Sequence, residues 1–191
     1  MNENGLAQAQ ERFERMENAV EIIVSDAPLK QRETAWLDLV SAFGRVYSKL
    51  EQAAKDSSEA AKWFQAKKME RRTDPLLQYM HHARNADEHT LISPAGGVDV
   101  AVQATVSGEG GTLGIGYGPN GRPFLICEGM AHPKIYEHEV LLNAAIDRGV
   151  TYRPPETHLG KEIEDYTPRE VAPLVVTYAS QMLDEAKSLV S

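Results

Sequence analysis

The sequence predicts an α+β protein, an N-terminal antiparallel four-helix bundle followed by a small β-rich lobe with a packed C-terminal helix. Three observations predict it. Up to about residue 92 the apolar residues recur at helical spacing. From Val98 to Val106 they alternate with period two, as in a half-buried strand. Between these regimes stands Ser93-Pro94-Ala95-Gly96-Gly97, which cannot continue a helix. The expected division is therefore a bundle over 1–93 and a lobe over 94–191, which either packs onto the bundle or stands apart.

The first helix is read over residues 6–24, with Phe13, Met16, Val20 and Ile23 on one stripe. Pro28 opens a second, longer helix to about residue 55. Its Trp36, Val40, Phe43, Tyr47 and Leu50 follow at alternating steps of four and three, a bundle seam. A third helix runs from Ser57 or Ser58 to Arg72, with Ala61, Phe64 and Lys68 on a mixed face. The fourth begins at Asp74 as N-cap with Pro75 at the first helical position, and stops near Ile92. Short connections between four helices imply antiparallel packing. In the second half, 98–106 and 122–127 read as strands around a glycine-rich turn region, 108–121. Residues 134–147 fit no one pattern, and 151–155 form a loop or edge strand. A last helix starts at Thr167 and Pro168, with Glu170 completing a capping box. Its stripe is Val171, Leu174, Val175, Tyr178, Met182 and Leu189, and Pro173 kinks it without breaking it.

Bulk properties narrow the function classes. The chain of 191 residues is 42% hydrophobic and 25% charged, the balance of a soluble globular protein. No apolar run approaches the ~20 residues of a membrane span. The start, Met1-Asn2-Glu3-Asn4-Gly5, lacks the basic and apolar regions of a signal peptide. A single cysteine, Cys127, excludes an intrachain disulfide and fits a reducing cytoplasm; its apolar neighbours suggest a buried, inert thiol. The net charge of -8 argues against bulk electrostatic binding to DNA. Residues 1–92 carry 13 basic and 15 acidic side chains, against 7 and 13 over 93–191. The main basic cluster is Lys62, Lys67, Lys68, Arg71 and Arg72, directly before the fourth helix. It reads either as a solvated helix face or as a patch that steers phosphates.

The chemistry concentrates on the fourth helix, which carries Arg84, Asn85 and His89 within six residues. The bare Arg-x4-His spacing is a weak signal. Arg153 and His158 repeat it, but Pro154 and Pro155 between them exclude a helix. The capped helix and the adjacent Asn85 set the Arg84–His89 pair apart. A metal site is the obvious competitor, given His81, His82, Asp87, Glu88 and His89. Positions i+3 and i+4 from His81 hold Arg84 and Asn85, and those from His82 hold Asn85 and Ala86, so no compact ligand set forms. Gly116-Tyr117-Gly118-Pro119-Asn120-Gly121 matches G-x-G-x-x-G, yet turn chemistry follows instead of a helix. A hairpin with Asn120-Gly121 at its tip is the expected structure. No P-loop and no nucleophile elbow occur.

Arg84-Asn85-Ala86-Asp87-Glu88-His89 resembles the arginine-x4-6-histidine signature of the HEPN superfamily, including the polar residue that often follows the arginine. The helical pattern of residues 6–92 is similar to the HEPN bundle, in which the motif ends the last core helix. The resemblance stops there and does not extend to 94–191. It implies a metal-independent ribonuclease acting as a homodimer, or a relative that has lost catalysis and serves as a binding or assembly module.

The residues support such chemistry on their own terms. RNA is cut without a metal when its 2'-hydroxyl attacks the neighbouring phosphate, which requires a proton-moving group and a cation. His89 suits the first role. Arg84 can fork two donors onto phosphate oxygens. Asn85 can donate to phosphate or orient His89. On one ideal helix Arg84 and His89 lie roughly 140° apart, so a site straddling two facing helices of a symmetric dimer is expected. The competing reading pairs Arg84 with Glu88 and leaves His89 as a helix-end residue. The expected site is thus Arg84, His89 and Asn85 for catalysis. Lys67, Lys68, Arg71, Arg72, His81 and His82 would bind RNA. No metal and no cofactor are expected, and the partners are RNA, a second copy and a protein regulator, in a toxin or phage-defence setting. The alternative is a non-catalytic module that acts through a protein partner bound by its acidic lobe.

Overall fold

A computed structural model describes residues 1–89, 93–106, 112–117, 123–128 and 130–190. It is a mixed helix and sheet protein, with five α-helices among the described residues and small antiparallel two-stranded sheets. The helices are α1 Glu3–Val24, α2 Leu29–Ala53, α3 Ser58–Thr73, α4 Pro75–His89 and α5 Pro168–Lys187. A short 3-10 turn, Ala54–Asp56, joins α2 to α3. The strands are β1 Ala95–Val106, β2 Thr112–Tyr117, β3 Pro123–Glu128, β4 Met130–Leu142, β5 Ala145–Asp147, β6 Val150–Tyr152, β7 Thr157–His158 and β8 Lys161–Glu162.

The caps explain most helix starts. Asn2 caps α1 by accepting from the Gly5 amide at 2.9 Å, so this helix begins earlier than its apolar stripe suggests. Ser57 caps α3 and Thr167 caps α5. Asp74 accepts from the Leu77 amide at 2.9 Å, as its place before Pro75 predicts. Pro173 lies inside α5, and Thr177 donates its hydroxyl to the Pro173 carbonyl at 2.8 Å.

The chain forms two compact units that differ from the expected division at 93/94. One is Met1–Gly97 with Val140–Ser191, the other Val98–Glu139. In the first, α5 packs against α1 and α2, and β5 packs on α4, so the C-terminal third joins the helices. Trp36, Phe43, Leu76, Leu77, Tyr79, Met80, Met182 and Leu183 are among its large buried side chains. Truncating one such leucine to alanine costs ~2–5 kcal/mol. The α5 stripe is Val171, Ala172, Val175, Tyr178, Ala179, Met182, Leu183 and Ala186; Leu174 is only half-buried. On α3 the inward residues are Ala60, Phe64 and Lys67, one position away from the expected Ala61 and Lys68.

The second unit holds most of β1 and β4, which pair, and the β2–β3 hairpin. The glycine-rich region expected to be all turn thus contains a strand. Thr112–Tyr117 pairs antiparallel with Pro123–Glu128, Tyr117 opposite Pro123. Alternating glycines at 114 and 116 still permit extended backbone. Gly116 and Tyr117 of the G-x-G-x-x-G stretch therefore belong to a strand and not to the start of a helix. The expected tip at Asn120-Gly121 and the side chain of Cys127 lie outside the described residues. No helix of the described residues is long and apolar enough to cross a membrane.

Candidate functional site

The helix α4 is fastened at its start and along one side by two hairpins of the same design. In β5–β6 the turn residues Arg148 and Gly149 have φ of 51° and 80°; in β7–β8 Leu159 and Gly160 have φ of 47° and 77°. Two successive positive φ values are what a type I′ turn requires. In each hairpin the residue just before the turn reaches α4. His158 Nδ1 lies 3.0 Å from Asp74 Oδ1, and the Leu159 amide donates to Asp74 Oδ2 at 2.6 Å. Burial pushes the Asp74 carboxyl up, but the His158 ring and the Leu159 and Leu77 amides outweigh it and hold the group below the usual carboxylate range.

The second hairpin residue, Asp147, is buried and takes two partners on one oxygen. His82 Nδ1 lies 2.8 Å from Asp147 Oδ2, and Asn85 Nδ2 donates to the same oxygen at 2.9 Å. The hydrogen bonds from Asn85 and then His82 lower the Asp147 pKa against the effect of burial. The His82 ring stacks on Tyr152 of β6, with centroids 3.5 Å apart and planes 8° from parallel. His81 meets His82 edge to face at 4.9 Å. Burial, with the Arg71 guanidinium and the His82 ring as lesser causes, pushes the His81 pKa down to about 4. His81 is therefore neutral at pH 7.

Arg84 leaves the helix on the opposite flank. Its Cδ and Nε lie against Gly44 of α2, where a Cβ would stand 2.5 Å and 3.1 Å from them. Arg84 Nη2 donates to both carboxylate oxygens of Glu88, at 2.9 and 3.1 Å. Its Nε is buried without a hydrogen-bond acceptor among the described residues. His89 is the last residue of α4 and is exposed. His82, Asn85 and His89 stand at positions 0, +3 and +7 and share a side of α4, whereas Arg84 faces α2.

Within one chain, then, the expected catalytic residues are not gathered at one point. Arg84 pairs with Glu88, Asn85 is held by Asp147, and His89 is exposed at the helix end. The expected cationic patch also needs correction. Lys67 is buried, not solvated: its ammonium lies 2.9 Å from Glu185 Oε2, 3.3 Å from Glu70 Oε2 and 5.8 Å from the Tyr178 ring centroid. Lys67 sits inward because α5 covers this side of α3, bringing Glu185 and Tyr178 to it. Lys68 is ion-paired with Glu51. Arg71 lies over the Tyr47 ring, 4.8 Å from its centroid. Arg72 remains exposed.

Asp147 and Tyr152 were not foreseeable as site residues from spacing, because each reaches α4 from more than sixty residues away. A cheap signal for the hairpin existed in the Arg148-Gly149 dipeptide between short apolar runs. No group of three or more His, Cys, Asp or Glu among the described residues could hold a metal ion. Compared with family models, curated proteins and solved structures, the chain matches none.

Proposed function

We propose that this chain is a metal-independent endoribonuclease of HEPN type, working in the cytoplasm as a homodimer built on its helical bundle. The observation that carries the reading is the seat of Arg84. A glycine in the middle of α2 costs about 1 kcal/mol relative to alanine, and its effect here is room for the Arg84 stem. The Arg84–Glu88 pair does not oppose the reading, because an exposed i,i+4 pair is worth only ~0.3–0.5 kcal/mol and a phosphodiester displaces it readily.

In the reaction the 2'-hydroxyl gives its proton to a base and attacks phosphorus. The bond to the 5' oxygen breaks, that oxygen takes a proton, and a 2',3'-cyclic phosphate and a 5'-hydroxyl result. His89 moves protons. Arg84 stabilises the charge on the pentacoordinate phosphorane. Asn85, tied to Asp147, is a positioning residue. Because Arg84 and His89 occupy different flanks of α4, each site draws one from each copy. Arg72, with Arg71, supplies the remaining cationic approach.

A second reading has its own support. Arg84 and Asn85 both have partners within the chain, as suits a binding or assembly module that no longer cuts RNA. Incubation with a mixed RNA pool in EDTA separates the two. Cleavage that leaves cyclic phosphate ends and disappears in His89→Ala and Arg84→Ala is expected. Wild-type rates in either variant would end the catalytic reading, and a folded protein that binds RNA without cutting it would favour the module.

A further inference from the structure

We propose that the cavity beside Tyr152 is a nucleobase subsite for single-stranded RNA. This deepens the ribonuclease reading and rests on it. The cavity, about 330 Å³, is lined by Gln78, Thr151, Tyr152, Arg153, Pro155 and Thr157 among others, which places it at the small end of ligand pockets.

Tyr152 is the reason for choosing a base as occupant. One side of its ring is covered by His82 at 3.5 Å, nearly parallel. His82 is itself fixed by the buried Asp147, which Asn85 also holds. The ring is thus ordered before any ligand arrives, and His82 is not part of the cavity wall. Tyr152 is partly buried against the core and also lines the cavity. An aromatic ring ordered in this way at a cavity wall can serve as a stacking platform, since every base offers a matching face. Stacking of this kind changes affinity by roughly five- to hundredfold per base.

Much of the rest of the wall fits the same ligand, although Glu156 adds a carboxylate that a phosphate must avoid. Pro154 and Pro155 fix the backbone φ near its proline value, so this side also needs no ordering. Gln78 commits its amide nitrogen to the Arg72 carbonyl, which leaves its oxygen as an acceptor for a base edge. Thr151 and Thr157 add hydroxyls, and exposed Arg153 offers a cation to a phosphate at the rim. His82 and His89 lie on one side of α4 seven residues apart, ~10 Å along the axis, a distance a short single strand spans.

The test is fluorescence anisotropy with a labelled single-stranded oligoribonucleotide in EDTA, on full-length protein carrying His89→Ala to block cleavage. Adding Tyr152→Phe keeps the platform, and binding within about twofold of the parent is expected. Adding Tyr152→Leu removes the platform, and at least a tenfold loss is expected. Thr151→Phe, at an exposed strand position, fills the cavity without touching the core and should cause the same loss if Tyr152→Leu fails to fold. Unchanged affinity in folded Tyr152→Leu or Thr151→Phe protein overturns the subsite, while wild-type cleavage would leave the ribonuclease reading standing. Binding that depends on Tyr152 in a wild-type protein that cuts nothing would keep the subsite and end the catalytic reading. Absence of both binding and cleavage would overturn both.

Discussion

Arg84 lies across Gly44 so closely that any side chain at position 44 would collide with it, an added Cβ falling 2.5 Å from Arg84 Cδ. The contact joins the motif helix to α2 through the one residue type that leaves room. Gly44→Ala should therefore move Arg84 while leaving the fold intact. Alanine gains about 1 kcal/mol of helix propensity, and the clash is with a flexible side chain that can swing out. The expected result is a melting temperature equal to or above that of the wild type, with RNA cleavage reduced at least tenfold. Wild-type cleavage by Gly44→Ala would show that the seat of Arg84 has no bearing on activity.

Glu88 should act as a competitor of RNA for Arg84. Removing its charge with Glu88→Gln leaves the guanidinium without its partner. Stability should change by no more than ~0.5 kcal/mol, because both groups are partly exposed. Affinity for a single-stranded oligoribonucleotide, read by anisotropy at fixed salt, should rise severalfold. A loss of affinity would mean that Glu88 supports the site instead.

Asp147 holds two donors on one oxygen, so Asp147→Ala leaves both His82 Nδ1 and Asn85 Nδ2 without their acceptor. A loss of about 2–3 kcal/mol in urea unfolding is expected. Asp147→Asn retains an acceptor oxygen and should lose less than half as much. Equal losses in the two variants would show that the charge, not the hydrogen bonds, does the holding.

The pH dependence of stability should fall into two windows. His81 titrates at about 4 in the fold against about 6.5 in the unfolded chain, so between these values only the unfolded state binds its proton. Its effect is absent above pH 6.5 and grows as the pH falls to 4, reaching about 1–3 kcal/mol of destabilisation. Asp74 and Asp147 act below that range. Both are held below their ordinary values, so their stabilisation is complete above the unfolded carboxylate pKa of ~3.9 and is lost as the pH falls through their folded values. Urea midpoints measured from pH 7 to 3 should show that His81→Phe flattens the upper window and leaves the lower one. A variant with the wild-type slope between pH 6.5 and 4 would remove His81 from the account.

Asp74 caps α4 and also anchors His158 and the Leu159 amide. Asp74→Ala should cost more than the ~1 kcal/mol of an ordinary N-cap, about 2–4 kcal/mol, because it strands a buried imidazole as well. The double variant with His158→Leu should recover part of that loss. Additive losses in the urea midpoints of the two single variants and the double would show that the residues do not act together.

Helix legibility followed from how local the signals are. Asp74-Pro75, Thr167-Pro168 and the Trp36–Leu50 seam all act within a few residues of chain, so capping and periodicity can be read directly. The strand at 112–117 is not legible in the sequence because its glycines look like turn chemistry, and only pairing with 123–128 makes them extended. Lys67 looked like part of a solvated cationic face because α3 by itself is strongly polar; packing of α5 brings Glu185 and Tyr178 over it.

By itself, then, the sequence determined which segments are helical, where they are capped, and that Arg84, Asn85 and His89 share the end of one helix. Tertiary structure alone decided which of these side chains are held and by what. Asp147 reaches Asn85 and His82, Tyr152 stacks on His82, and Gly44 makes room for Arg84. A helix repeats every 3.6 residues and writes that period into neighbouring positions. A carboxylate meeting its donor sixty residues away leaves no such period, and is set only when hairpin and helix pack on one core.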